Sequence, residues 1–262
     1  MVKIKDICLL LNEFAPLSLQ ESYDNAGLIL GCKDAEADSV LITLDVTEEV
    51  INEAILKNCH FIIAHHPLIF NGIKQLTGSN YVQRCVIKAV KNDIAIYAAH
   101  TNFDNVIDGV SGRMAEKLGL QNVEILQVTD FNNNRVGAGV TGDLPRMMSE
   151  QEFLQKLKDV FGISCIKHTK MLSKPIEKVA LCGGAGSFLL PNAIAARAQV
   201  FVSADFKYHE FFNAENQILI ADIGHYESEQ FTKEIFYEII TKKFPTFAVQ
   251  ISETNTNPIN YF

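Results

Sequence analysis

Residues 222–230 read Asp-Ile-Gly-His-Tyr-Glu-Ser-Glu-Gln and lie between two elements that the apolar pattern predicts. The apolar run 218–221 is typical of a buried strand, and the apolar residues from 231 to 240 have helical spacing. His225 and Glu229 are four residues apart, so one helical turn would place both side chains on the same face. An imidazole and a carboxylate so placed can bind a metal ion or exchange a proton. Such a pair is also common on solvated helix surfaces, so the interpretation depends on what else can join it.

Apolar runs alternate with helical patterns along most of the chain. The runs predict strands at residues 28–30, 40–44, 61–64, 94–99, 136–142, 178–182, 200–203 and 218–221. The helical patterns predict helices at residues 4–14, 47–57, 80–91, 111–118, 149–161 and 193–198, and one that begins near 231. This alternation predicts an α/β fold with mainly parallel sheets, whose ligands bind outside the carboxyl ends of the strands.

The chain also contains an internal repeat. A shift of 139 residues superimposes strand 40–42 on 179–181, strand 61–63 on 200–202, and His66 on Asp205. A shift of 125 superimposes strand 94–99 on 219–224, His100 on His225, and Asp104 on Glu229. The repeat predicts two similar α/β halves, about 1–127 and 136–262, that face a shared central cleft. The turn-rich stretch 128–135 is predicted to join them.

Most of the histidines follow predicted strands directly. The candidate metal ligands are His65, His66, Asp104, His225 and Glu229, with His100, Asp205 and His209 close behind. Three imidazoles and two carboxylates suit two divalent ions that share a bridging carboxylate and keep open positions. Mixed nitrogen and oxygen ligands favour zinc, manganese, iron, nickel or cobalt over calcium or magnesium. The alternative is a set of core histidines that are each hydrogen-bonded to a backbone carbonyl.

The glycine-rich loop 183–186 has two interpretations. Its backbone amides could bind a phosphate, as those of glycine loops before helices do. No lysine follows it, and we therefore favour a tight turn between strand and helix. We accordingly predict no residues that bind an organic cofactor.

Composition restricts the partners. The formal net charge of −8 and the pI of about 5.4 disfavour a nucleic-acid-binding protein, which needs clustered Lys and Arg. No apolar run approaches the roughly 18 residues of a membrane span, and residues 1–6 lead into an amphipathic pattern, so we expect no signal peptide. The six cysteines contain no Cys-x-x-Cys pair, which indicates reduced thiols in a cytoplasmic protein.

Several stretches resemble the GTP cyclohydrolase 1 type 2 homologues, also called Nif-three-like proteins. They are residues 23–28 (Tyr-Asp-Asn-Ala-Gly-Leu), 64–70 (Ala-His-His-Pro-Leu-Ile-Phe), 100–104 (His-Thr-Asn-Phe-Asp), 183–186, 205–209 (Asp-Phe-Lys-Tyr-His) and 224–229. The resemblance covers essentially the whole chain, which would be one domain of two related halves. It implies a ring-shaped homohexamer whose dinuclear metal sites face an internal cavity. Longer relatives carry an inserted domain where residues 128–136 form only a turn here.

The resemblance also implies roles for individual residues. His65, His66, Asp104, His225 and Glu229 match the metal-binding positions, and Glu229 would contact both ions. His100 and His209 match positions that line the site, and we assign them as the candidate catalytic proton carriers.

Two functions are compatible with these residues. The first is a metal-dependent hydrolase that acts on a nucleotide or related ring compound, since two ions would lower the pKa of water and polarise the bond that is attacked. GTP as the substrate comes from the resemblance alone. The second is a non-catalytic assembly that stores or senses metal or serves as a scaffold for a partner.

Overall fold

The computed structural model describes residues 1–130 and 132–262, which form two compact units. Unit 1 contains Met1–Phe103 and Thr232–Asn260, and unit 2 contains Asp104–Phe231 and Tyr261–Phe262. The stretch 128–135, where the sequence places the join between halves, instead connects two strands inside unit 2. Residue 131 of that predicted turn lies outside the described residues. The chain passes between the units at residues 103–104, 231–232 and 260–261.

The strands and helices alternate as the sequence predicts. The strands are β1 (Val2–Lys3), β2 (Gly27–Leu30), β3 (Glu36–Ala37), β4 (Ser39–Thr43), β5 (Phe61–Ala64), β6 (Ala95–Ala98), β7 (Gln121–Val128), β8 (Gly137–Met148), β9 (Lys167–His168), β10 (Ile176–Ala185), β11 (Val200–Ala204), β12 (Leu219–Asp222) and β13 (Ala248–Ile251). The helices are α1 (Ile4–Phe14), α2 (Glu48–Leu56), α3 (Tyr81–Lys91), α4 (Thr101–Asp104), α5 (Val110–Leu118), α6 (Glu150–Phe161), α7 (Leu190–Ala195), α8 (His225–Glu229) and α9 (Thr232–Lys243). Short 3₁₀ segments occupy Leu17–Leu19, Ser187–Leu189 and Tyr208–Ala214.

The main sheet of unit 1 has the strand order β13-β4-β5-β6-β2. Its first four strands run parallel, and β2 pairs antiparallel with β6. Every residue of β4, β5 and β6 is buried, which explains why these strands read as continuous apolar runs rather than as alternating patterns. The helices begin at side-chain caps, since Thr47 accepts a hydrogen bond from the amide of Val50 and Asn80 accepts one from the amide of Gln83.

The sheet of unit 2 has the strand order β7-β8-β10-β11-β12-β9. Strands β10, β11 and β12 form a parallel centre, with antiparallel strands on both sides. One apolar cluster on this sheet includes Phe153, Leu157 and Phe161 of α6, and Ser149 caps that helix as predicted. The α/β class with a parallel portion in each of two units is therefore confirmed.

The strand registers show how far the internal repeat extends. In unit 1, Leu41 pairs with Ile62, and in unit 2 Ala180 pairs with Phe201. These are the same two positions after a shift of 139 residues. The first two parallel strands of each unit therefore have the same register as well as similar sequences.

The third parallel strands of the two units are related by a shift of 124 residues rather than the 125 that relates the histidines. Phe61 pairs with Ala95, and the corresponding Val200 pairs with Leu219. One extra residue therefore precedes the second histidine of the repeat, where Gly224 has a φ of 95°. That left-handed conformation suits glycine, because it has no Cβ.

Some elements differ from the prediction. Helix α7 begins at Leu190 rather than at 193, with Pro191 in its first turn, where a proline is favoured. Strand β8 continues beyond residue 142 to Met148, because β7 and β10 both pair with it. Strands β7 and β13 are missing from the prediction. Both are edge strands, with one buried residue in β7 and none in β13, so neither gives the long apolar run of a central strand.

Two findings concern the cysteines and the helices. All six cysteines are free thiols, and Cys59, Cys85 and Cys182 are buried among apolar side chains. Among the described residues, no helix has the length and apolar character that crossing a lipid bilayer requires.

The C-terminal segment of unit 1 is held by one carboxylate. Glu53 accepts hydrogen bonds from the hydroxyls of Ser252 and Thr254, each at 2.6 Å, and from the amide of Glu253 at 2.9 Å. It also forms an ion pair with Lys57 at 2.8 Å. Burial acts to raise the pKa of Glu53, but these hydrogen bonds outweigh burial and lower the pKa to about 2.

Replacing Glu53 by Gln is expected to destabilise the protein at pH 7 by about 2 kcal/mol. Because the pKa is lowered by folding, this stabilisation is present above the unfolded pKa and is lost as the pH falls towards 2. Chemical unfolding of both proteins at pH 7 and pH 3 measures the difference, which should shrink at pH 3. Glu177→Gln, an exposed carboxylate, is the control. An equal difference at both pH values would contradict the assignment.

Candidate metal centre

Unit 1 brings three histidines together at the carboxyl ends of adjacent parallel strands. His65 and His66 follow β5, and His100 follows β6. Each offers one ring nitrogen, and these nitrogens all lie within 4.8 Å of one another. The ring centroids are 4.8 to 5.4 Å apart. Three imidazoles at this spacing are a donor set for a borderline divalent metal.

In all three rings Nδ1 contacts an acceptor. The partners are the carbonyl of Ala99 for His65 at 2.8 Å, Asp45 for His66 at 2.7 Å and Asp24 for His100 at 2.7 Å. A carbonyl oxygen only accepts, so Nδ1 of His65 carries the proton and Nε2 of its neutral ring holds the lone pair. This arrangement, in which an outer acceptor fixes the tautomer, is the usual one for histidines that ligate metals.

Asp24 holds His100 from a loop distant in sequence. Its side chain is fully buried and also accepts hydrogen bonds from the amide and the hydroxyl of Thr101. Burial acts to raise the pKa of Asp24, but the hydrogen bonds from His100 and Thr101 outweigh it and lower the pKa to about 2. The carboxylate is therefore ionised at neutral pH, and Nδ1 of His100 donates to it.

Asp45 holds His66 in a similar way. It follows β4, and its Oδ2 accepts a hydrogen bond at 2.7 Å from the hydroxyl of Thr256, near the C-terminus. The carbonyl of Asp45 accepts another from the hydroxyl of Thr43 at 2.9 Å. The carboxylate that orients His66 is thus itself positioned by two separate segments of unit 1.

Unit 2 contains the second part of the predicted site. Helix α8 begins at His225 and ends at Glu229, and the distance from Nε2 of His225 to Oε2 of Glu229 is 3.1 Å. Nδ1 of His225 lies 2.8 Å from Asp205, which adopts a left-handed φ of 57° after β11. His225 therefore shares the arrangement of the three histidines in unit 1, with an acceptor on Nδ1 and with Nε2 as the nitrogen that can ligate.

Glu229 is only 3% exposed and lies against the glycine loop. A Cβ on Gly184 would be 2.3 Å from Oε1 of Glu229. Burial raises the pKa of the neighbouring Cys182, and the negative charges of Asp104 and Glu229 raise it further. Both carboxylates thus lie near this thiol, which stays protonated.

The loop 183–186 has little capacity to bind a phosphate. The amide of Gly183 donates to the hydroxyl of Ser111 at 3.2 Å, and the amide of Gly184 donates to the hydroxyl of Ser228 at 2.9 Å. Both glycines belong to the end of strand β10, and Gly184 has a φ of 59°. The absence of side chains there instead makes room for Glu229.

The structure groups the predicted residues within each unit. His65, His66 and His100 lie together in unit 1. His225 and Glu229 lie together in unit 2. Asp104, also in unit 2, lies near the thiol of Cys182, as Glu229 does. His209 lies in the segment Tyr208–Ala214 with an exposed side chain, and its ring contacts those of Tyr208 and Phe212. Asp24, Asp45 and Thr256 were not predicted to have a role. Asp24 lies just before β2 and Asp45 just after β4, but their pairing with histidines depends on the fold.

Comparisons with known proteins agree with the fold and identify a family. The sequence model of the Duf34/NIF3 (NGG1p interacting factor 3) family matches residues 2–258. A Clostridium acetobutylicum protein named GTP cyclohydrolase 1 type 2 homolog is 33% identical over 229 residues, which cover 87% of this chain and 85% of the relative. A Campylobacter jejuni protein of the same name is 30% identical over 263 residues, which cover 100% of both chains. The solved structure of Staphylococcus aureus protein SA1388 has a TM-score of 0.92 at 28% identity, with 99% of each chain covered.

Proposed function

The chain belongs to the Duf34/NIF3 family, and from this premise we propose that it is a metal-dependent hydrolase of the GTP cyclohydrolase 1 type 2 kind. Its substrate would be a nucleotide or a related ring compound. The observation that carries the proposal is that Nδ1 of His65, His66 and His225 contacts an acceptor, which leaves Nε2 of each ring to ligate.

We propose that two divalent ions, of zinc, manganese, iron, nickel or cobalt, bind to the five residues that match the family pattern. These ligands are His65, His66, Asp104, His225 and Glu229. The donor chemistry fits such ions, because neutral imidazoles and ionised carboxylates are their usual ligands. When bound, the ions would supply Lewis acidity and positive charge for the substrate, which matters in a chain with a net charge of −8.

The residues of the chain would carry the protons. In a ring-opening hydrolysis, the oxygen of water forms a bond to carbon, a carbon–nitrogen bond breaks, and the leaving nitrogen takes a proton. His100 is suited to deliver that proton, because its Nδ1 is bound to Asp24 and its ring is thereby held in one orientation. His209, with its exposed ring, is the second candidate.

The test is turnover of GTP and of a panel of phosphoesters, with metal content measured by plasma mass spectrometry. We expect turnover to disappear on chelation and to return with metal. Turnover that survives both chelation and the Glu229→Ala substitution would contradict the proposal. Stoichiometric metal without turnover of any substrate would favour the alternative, a non-catalytic metal-binding assembly.

Replacing Asp45 by Asn is expected to weaken metal binding by about tenfold, because the amide no longer fixes the tautomer and charge of His66. Competition with a chromophoric chelator measures this affinity. Asp34→Asn is the matched control, since Asp34 is an exposed partner of Lys5. Unchanged affinity in the Asp45 variant would show that His66 does not ligate.

We also propose a homohexamer, which the family resemblance implies. Light scattering after size exclusion would then give a mass about six times the 29.2 kDa of one chain. A monomeric or dimeric mass at micromolar concentration would contradict this assignment.

A further inference from the structure

Two exposed aromatic side chains of unit 1 lie beside the histidine cluster. Tyr23 is 63% exposed and Phe70 is 45% exposed, and their ring centroids are 6.2 Å apart. The ring of Phe70 lies edge-on to that of His100 at 6.3 Å. Burying an aromatic side chain normally stabilises a protein, so two exposed rings next to a candidate reaction centre require an explanation.

The backbone that carries Tyr23 is fixed on both sides. Its neighbour Asp24 binds His100 and Thr101, and the amide of Glu21 donates to the hydroxyl of Thr101 at 2.9 Å. Asn25, two residues beyond Tyr23, donates from its side chain to the carbonyl of Ile69 at 2.6 Å. This last bond joins the loop of Tyr23 directly to that of Phe70. The two exposed rings are therefore held in place relative to the histidines.

We propose that Tyr23 and Phe70 form an aromatic shelf on which the planar ring of the substrate stacks, next to the histidine cluster. The inference deepens the proposed function, because it assigns the substrate to the heteroaromatic compounds, such as purine nucleotides. The two rings are tilted by 44° and are too close to admit a third ring between them, which needs about 3.5 Å on each side. The ligand ring stacks on their solvent-facing side instead.

Stacking also compensates for the shortage of basic residues. Aromatic side chains bind any nucleobase through its π-face and need no charge to do so. A chain with a net charge of −8 can therefore select a nucleotide by its base, while the phosphates stay in solvent or near bound cations.

The test compares two probes that share a sugar phosphate, guanosine 5′-monophosphate and ribose 5-phosphate, by isothermal titration calorimetry with metal-loaded protein. The wild type should bind the nucleotide at least tenfold more tightly. Tyr23→Ala and Phe70→Ala should each reduce that ratio by roughly tenfold, whereas Tyr23→Phe should retain it. Tyr81→Ala, which removes another exposed aromatic ring of unit 1, should leave the ratio unchanged.

Equal binding of both probes to the wild type, or an unchanged ratio in both alanine variants, would overturn the inference. So would a change in oligomeric mass of those variants without a change in the ratio, because the shelf would then be a contact between copies of the chain. The readout is binding, so it is independent of turnover. If the two alanine variants lower the binding ratio but the protein hydrolyses no substrate, the proposed function is wrong and the aromatic shelf is still supported.

Discussion

Replacing Glu229 by Gln is expected to remove at least half of the bound metal and to reduce turnover by about a thousandfold or more. The substitution keeps the shape of the side chain but replaces an ionised carboxylate by a neutral amide. Glu229 is 3% exposed and lies 3.1 Å from Nε2 of His225, so no water can take over its role without rearrangement. In the proposed site this carboxylate would contact both ions, so its loss should affect both.

Metal content by plasma mass spectrometry and steady-state kinetics measure the two effects on the same samples. Glu177→Gln is the matched control, since it makes the same chemical change on an exposed carboxylate of unit 2. Circular dichroism should show that both variants are folded. A Glu229→Gln protein with full metal content and normal turnover would exclude Glu229 as a ligand.

Replacing Gly184 by Ala is expected to weaken metal binding by at least about a hundredfold, because the new methyl group displaces a ligand. The added Cβ would be 2.3 Å from Oε1 of Glu229 and 3.2 Å from Cε1 of His225. The first of these atoms is the end of a flexible side chain. The collision is therefore relieved by movement of the carboxylate rather than of the backbone, and the fold is expected to persist.

A matched variant separates this effect from backbone strain. Gly162 has a φ of 67°, close to the 59° of Gly184, but nothing lies within 4 Å of its hypothetical Cβ. Both alanine variants should lose about 1–2 kcal/mol of stability from the left-handed conformation. Only Gly184→Ala should lose metal affinity in a chelator competition assay. Equal affinities in the two variants would show that the glycine loop does not position Glu229.

The sequence predicts the strand ends well, because local signals define them. His65 and His66 follow a short apolar run, His225 follows another, and Thr47 and Ser149 mark helix starts by their capping hydroxyls. The α/β class and the grouping of polar residues at strand ends follow from these signals alone.

Which segments of the chain form each unit depends on pairing between strands that are far apart in the sequence, and local patterns do not report such pairing. Strand β13 has only four residues, none of them buried, yet it pairs parallel with β4 and completes the sheet of unit 1. For the same reason the support of the histidines by Asp24 and Asp45 was not predicted. Each carboxylate is far from its histidine in sequence and meets it only through the order of strands.

The discontinuity of unit 1 has a consequence for synthesis on the ribosome. Apart from its last two residues, unit 2 is one continuous segment, Asp104–Phe231, and can fold once that segment has emerged. Unit 1 needs Thr232–Asn260 to complete its sheet, so it cannot be complete before the continuous segment of unit 2 has been synthesised. Thr256, which holds Asp45 against His66, is translated after that segment. The nascent polypeptide therefore acquires a fully oriented His66 only after unit 2 can already have folded, and metal loading that depends on this histidine follows that step.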